Sequence, residues 1–194
     1  MKKTGIIIII VLAAILFLWG MGSYNGLVNS QENVKSQWGN VENQYQRRAD
    51  LIPNLVETVK GYATHEKSTF EEVIAARAKA TQITIDPTNL TPEKLQEFQA
   101  AQGQLGSALG RLIAVAENYP ELKANQNFLE LQAQLEGTEN RISVERNKFI
   151  EMAKKYDVAI RQFPKNIVAG LFNFEKIPYF TAQEGAEKAP QVKF

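Results

Sequence analysis

A run of eighteen residues without a charge, Gly5 to Gly22 (GIIIIIVLAAILFLWGMG), limits what this chain can fold into more than any other feature. As a helix it spans roughly 27 Å, close to the ~30 Å hydrocarbon layer of a bilayer. Met1-Lys2-Lys3-Thr4 precedes it, and a basic start before an apolar run describes a membrane anchor and a cleaved signal peptide alike. No Ala-x-Ala site follows, which favours the retained anchor. Lys2 and Lys3 abut the run, whereas the next basic residue is Lys35. The positive-inside rule then keeps the N-terminus in the cytoplasm and puts the remainder outside, in a single-pass arrangement. The expected organisation is a basic flank (1–4), an anchor (5–22), a folded domain (23–180) and a flexible polar tail (181–194).

From Tyr24 onward the apolar period is helical and no strand pattern interrupts it. Leu27, Gln31, Val34, Trp38, Val41, Tyr45, Arg48, Ile52, Leu55, Val59 and Tyr62 recur in steps of four and three, which lays one seam along a helix. Phe128, Leu131, Leu135, Thr138, Ile142, Glu145, Phe149, Met152, Tyr156, Ala159 and Phe163 repeat the arrangement. Between these coiled-coil-like seams, Thr91-Pro92-Glu93 is a helix start: a capping threonine, a proline in the first turn, and a carboxylate near the positive end of the dipole. Leu95, Phe98, Gln102, Leu105, Leu109, Leu112 and Ala116 carry that helix's apolar face to Tyr119-Pro120. The fold class is all-α.

The stretch QRRADLIPNLV, Gln46 to Val56, sets a proline inside the first seam. In a helix interior proline loses a hydrogen bond and clashes with the preceding turn, but it is tolerated in a first turn. Asp50 can cap a helix that starts at Leu51 with Pro53 in its first turn. A reversal there predicts helices over about 24–50, 51–83, 92–118 and 122–163, which suit an up-and-down, antiparallel four-helix bundle. The other reading is a kink within one long helix, and the unbroken phase of the seam through Pro53 favours it. Matched lengths favour the reversal, which is the expectation here.

Composition excludes several classes. With 22 basic and 21 acidic residues in 194, there is no basic field for nucleic acid, which is not expected as a partner. Cysteine is absent, so there are no disulfides, thiolate nucleophiles or thiolate metal sites. The sole histidine, His65, is followed by Glu66, but HEKST lacks the second histidine of a helical zinc-protease motif, and a surface role is expected. GQLGSALG, Gly103 to Gly110, lies on the apolar period and lacks a P-loop lysine; its small residues are expected to permit close helix packing. No serine lies in a Gly-x-Ser-x-Gly elbow, and no Glu-x-x-His pair of a di-iron bundle occurs. No catalytic residue, metal site, cofactor or small-molecule substrate is indicated.

Over Tyr24 to about Phe180 the chain resembles the LemA family of bacterial membrane-anchored helical proteins. The landmarks are Tyr24-Asn25 with Leu27-Val28, Trp38, Arg47-Arg48 with Asp50-Leu51-Ile52-Pro53-Asn54-Leu55, Gly61-Tyr62 with His65-Glu66, and Ala76-Arg77. They continue through Glu117-Asn118-Tyr119-Pro120-Glu121-Leu122-Lys123-Ala124-Asn125, Phe128, Glu139 with Ile142, and Phe163-Pro164. The chain departs from the family where two Tyr-Asn pairs are usual on the last helix, carrying Phe149-Ile150 and Tyr156-Asp157 instead. The resemblance implies an N-terminal membrane helix, a four-helix bundle, a bacterial cytoplasmic membrane and no established enzymatic activity.

The resulting expectation is a non-catalytic envelope scaffold or adaptor that binds unidentified envelope proteins through its grooves. A chaperone-like accessory of a membrane protease is the alternative, and a metal-dependent enzyme using bundle carboxylates the third. Two local expectations accompany it. Arg48 and Glu145, both charged on apolar seams, are a candidate buried pair; the other reading lets each reach solvent along its stem. After Phe163-Pro164, the segment KNIVAGLFNFEKIPYF carries Phe172, Phe174 and Phe180 as candidate membrane or partner contacts, against a reading in which it folds back to close the core.

Overall fold

The computed structural model describes residues 2–87 and 89–180, so the expected tail lies outside the described residues. The described chain is helical, without a strand: α1 (Lys2–Lys60), α2 (Lys67–Gln82), α3 (Pro92–Ala116), α4 (Pro120–Lys123), α5 (Gln126–Arg161) and α6 (Lys165–Leu171). The first third of α1 holds the uncharged run, long and apolar enough to cross a membrane, with none of it buried by the rest of the chain.

The reversal at Ala49–Pro53 is not found. α1 runs unbroken for 59 residues with Pro53 inside it, about 90 Å at the rise of an α-helix. Asp50 caps nothing; its carboxylate accepts from Gln46 Nε2 at 2.7 Å on the exposed side. Continuity wins because the seam never changes face: Leu27, Val34, Trp38, Val41, Tyr45, Arg48, Ile52, Leu55 and Val59 are all buried, while Pro53 points outward. The proline still leaves the Ala49 carbonyl without its helical donor. Arg77 on α2 supplies one, donating from Nε at 2.8 Å. An interior proline is thus accommodated by a side chain from the neighbouring helix.

The chain turns at 61–66 instead, where the amides of Tyr62 and Ala63 fold back onto the Val59 carbonyl. His65 is exposed in this turn. α2 is consequently 16 residues long, about half of what a reversal at Pro53 would have given it. Side-chain contacts join the two long helices at several levels: Gln37 meets Glu145 and Arg48 meets Glu139, while Tyr62, just past α1, meets Asn125, the N-cap of α5. Glu72 meets Arg111 and Lys79 meets Gln104 between α2 and α3. Thr91 caps α3 as expected, its hydroxyl accepting from the Lys94 amide, and all seven residues of the expected α3 face are buried.

The core forms two clusters. The one nearer the apolar end of α1 gathers Trp38, Tyr45, Phe98, Phe149, Tyr156, Ile177 and Phe180, with Ile85 and Leu90 from the connection after α2. The other, beyond residue 50 of α1, is mostly aliphatic: Ile52, Leu55, Val59, Val73, Leu105, Leu112, Leu122 and Leu135, with Phe70 and Phe128.

Candidate functional site: a polar layer and the groove above it

Between the clusters lies a layer of buried polar residues, Arg48 on α1, Gln102 on α3 and Thr138 on α5. Arg48 donates to Glu139 Oε1 and to Gln102 Oε1, each at 2.5 Å, and Gln102 Nε2 donates to the Ala80 carbonyl at 3.3 Å. The guanidinium thereby ties α1 to α3 and α5, and Gln102 extends the link to α2 by satisfying a carbonyl in its last turn that no helical donor reaches. Thr138 returns its hydroxyl to the Gln134 carbonyl. Arg48 also stands 5.2 Å from the Tyr45 ring centre. Burial pushes the Tyr45 hydroxyl up, opposed by the charges of Arg146 and Arg48.

The expected pairing of Arg48 with Glu145 is therefore corrected to Arg48 with Glu139. Glu145 lies further along α5, level with Gln37, whose Nε2 donates to its carboxylate at 2.7 Å and to its carbonyl at 3.1 Å. Hydrogen bonds from Lys148 and then Gln37 hold the Glu145 carboxyl below the usual range. Charge on the seam was legible; the partner was not, because Glu139 sits off the seam and half exposed.

Above this layer α3 and α5 border a groove of 570 Å³, floored by Tyr45 and Arg48 and flanked by Gly106 and Gly110 on one wall and Gln132 and Glu136 on the other. A Cβ added at Gly106 or Gly110 would meet nothing within 4 Å. The expectation of close packing therefore fails at these two glycines, which border open space, whereas Ala108 of the same stretch is buried in the core with the leucines of α3. The Arg48 Nε and Gln99 Nε2 groups, on residues that line the groove, are buried without a hydrogen-bond partner among the described residues. A second, larger groove of 1730 Å³ lies between α2 and α3 and the segment after α6, with Lys79, Arg111, Lys154 and Arg161 among its lining residues. Among the described residues no group of three or more His, Asp or Glu side chains gathers as a metal site.

The remaining sequence landmarks fall into structural roles. Trp38 packs edge-on to Phe98 and Phe149 and stacks on Phe180 at 5.7 Å. Tyr62 and Asn125 meet at 2.9 Å, while the Asn125 side chain also caps α5 by accepting from the Phe128 amide. Glu117 closes α3, Tyr119 and Pro120 open α4, and Lys123 ends it, so this motif is a helix-to-helix corner. Gly61 lies in the turn that ends α1, and Glu66 precedes α2 and accepts at its carbonyl from the Thr69 and Phe70 amides. Asn25, Arg47, Asp50 and Asn54 are exposed on α1. Arg77, a landmark with no assigned chemistry in the sequence, is the residue that repairs the Pro53 break.

The three phenylalanines expected as contacts after Phe163-Pro164, Phe172, Phe174 and Phe180, separate. Phe180 is buried against Trp38, Phe149 and the Arg146 guanidinium, which corrects its assignment as a membrane contact: large apolar neighbours and a cation draw it into the core. Phe174 is half-buried and Phe172 exposed, both against the Tyr24 ring. The chain reverses after α6 because Asn173 adopts a positive φ of 55° and the Phe174 amide donates to the Ala169 carbonyl, a Schellman-type close. Asp157 then pins the returning segment by accepting from the Ile177 amide.

Comparison with known proteins returns one consistent picture. The model of the LemA family matches residues 37–194. Magnetosome protein MamQ of Magnetospirillum gryphiswaldense is 28% identical over 174 residues, covering 81% of this chain and 64% of that protein. Magnetosome protein MamQ 2 of Paramagnetospirillum magneticum matches to the same extent. Protein LemA of Metamycoplasma hominis is 24% identical over 179 residues, 92% of this chain and 78% of its own length. The chain thus spans under two thirds of the MamQ relatives.

Proposed function

The chain belongs to the LemA family, and for this member we propose a non-catalytic, membrane-tethered scaffold whose helices act as one up-and-down four-helix unit and whose α3–α5 groove receives a helix of an envelope partner. One observation carries this reading: a single unbroken helix leads from an uncovered apolar third directly into the domain that bears the groove. Such a rod holds the groove at a set height above the bilayer, which a flexible linker would not. The glycine wall admits close approach of a partner backbone, and the Arg48 Nε and Gln99 Nε2 groups, without partners among the described residues, lie beneath it. The lysines before the apolar run support a cytoplasmic N-terminus and an extracytoplasmic domain, in a single pass. The naming of relatives as magnetosome proteins agrees with a role in organising a cellular structure.

The test places a photo-crosslinking residue at Gln132 or Glu136, in the groove, and at Lys67, on an exposed face away from it, in the full chain in cells. A discrete adduct from the groove positions alone supports the reading. Equal or absent crosslinking at both faces removes the groove as the working surface.

A further inference from the structure

The end of the domain next to the apolar run leaves four large apolar side chains in the open: Phe163 (80% exposed), Ile167 (59%), Leu171 (74%) and Phe172 (54%). Every other large apolar side chain of the described segment after Phe163 is covered, fully or in part, so this exposure is local. Two independent placements fix its height. The Tyr24 ring, two residues beyond the uncharged run, lies 4.7 Å from the Phe172 ring. The opposed register of α1 and α5, set by the Gln37–Glu145 and Arg48–Glu139 contacts, brings Phe163 level with about residues 19–24 of α1 at equal rise on both helices. These side chains therefore stand beside the last turn of the apolar run rather than above it. Ile167 and Leu171 are four apart on α6 and share one side of it, and Arg161, Lys165 and Lys176 around them are exposed cations.

We propose that Phe163, Ile167, Leu171 and Phe172 form a second membrane contact, a foot inserted into the same bilayer interface that the apolar run enters, with Arg161, Lys165 and Lys176 at headgroup level. The proposal rests on the anchored reading above. Apolar side chains beside cations on a short helix are the pattern of an interfacial contact, and among the described residues of the returning segment Ile177 and Phe180 are already buried in the core. A single helix crossing a bilayer fixes the height of a domain but not its tilt or its rotation about the helix axis. A second contact off that axis fixes both, so the foot sets which way the α3–α5 groove faces.

Because the natural chain has no cysteine, single cysteines can carry nitroxide labels without background. The full chain, labelled in turn at Leu12, Ile167, Leu171 and Lys123, is placed one copy per nanodisc of phosphatidylcholine and phosphatidylglycerol, which removes a second copy as the covering surface. Relative access of oxygen and of a water-soluble nickel chelate is then read by power saturation. Labels at Leu12, Ile167 and Leu171 are expected to favour oxygen, and Lys123, on the far corner, the nickel chelate. A lipid signal at Leu12 with an aqueous signal at both Ile167 and Leu171 overturns the foot and leaves the anchor standing. An aqueous signal at Leu12 as well overturns both.

Discussion

Residues of α1, α2, α3 and α5 fill the distal cluster, whereas the membrane-proximal cluster takes only α1, α3 and α5 among the long helices. The place α2 does not reach is covered by irregular chain, through Ile85 and Leu90 on one side and Ile177 and Phe180 on the other. The side chains differ accordingly. Where α2 contributes to the core, leucine, valine and alanine predominate, with Phe70 and Phe128; where it does not, Trp38, Tyr45, Phe98, Phe149 and Phe180 fill the gap with edge-on and stacked rings. Aromatic bulk here substitutes for a helix. The Arg48 layer marks the boundary between the two regimes.

That contrast is broken first by truncating each half. Trp38→Ala is expected to cost about 3–5 kcal/mol and Leu112→Ala about 2–5 kcal/mol. Only the first should also abolish exchange protection of the Ile177 amide, since Trp38 is what Phe180 stacks on. Equal loss of that protection in both variants would show that the halves unfold as one.

At the boundary, Arg48→Met removes a buried donor and leaves Gln102 Oε1 unsatisfied, while Glu139, half exposed, rehydrates. The expected loss in chemical denaturation is about 2–3 kcal/mol, below that of stranding a fully buried charge. A double-mutant cycle should find coupling with Glu139 and none with Glu145.

A subtler test concerns the break in α1. Arg77→Ala should cost about 1–3 kcal/mol by orphaning the Ala49 carbonyl. In a Pro53→Ala background, where the restored amide satisfies that carbonyl, the same change should cost much less. An unchanged cost would mean that Arg77 matters for packing alone.

The smallest effect is one of pH. Burial raises the Asp157 carboxyl above its ordinary value, against the Ile177 amide and the charges of Lys176 and Arg161. The folded state then holds the proton more tightly than the unfolded chain. Its favourable contribution is complete below about pH 4 and is lost as pH rises through the elevated value. Asp157→Asn, which keeps an acceptor for Ile177, should flatten this part of the stability profile without shifting the low-pH end.

Much of this was readable from sequence where periodicity alone decides. The buried set of α1, the Thr91 start of α3 and the face from Leu95 to Ala116 follow from spacing, and so does the exposure of the uncharged run. Pro53 misleads for one physical reason: its local sequence carries the cost to the helix, whereas the repair comes from Arg77, on another helix. The partner of Arg48 escaped for a similar reason, since Glu139 lies off the apolar period that singled out Glu145. Phe180 was recognisable as apolar but not as buried, because its fate depends on the room left by a helix shorter than expected. The groove left no mark at all beyond two glycines.

The whole account depends on α1 being one rod, and a distance along it tests this most directly. Spin labels at Asn29 and Glu57, both exposed on α1, should lie about 42 Å apart between backbones at the helical rise, with a single narrow distribution in a pulsed dipolar measurement. A population near about 25 Å, as a reversal at Pro53 would give at the same rise with two helices side by side, would contradict the continuous helix and with it the height at which the domain is held.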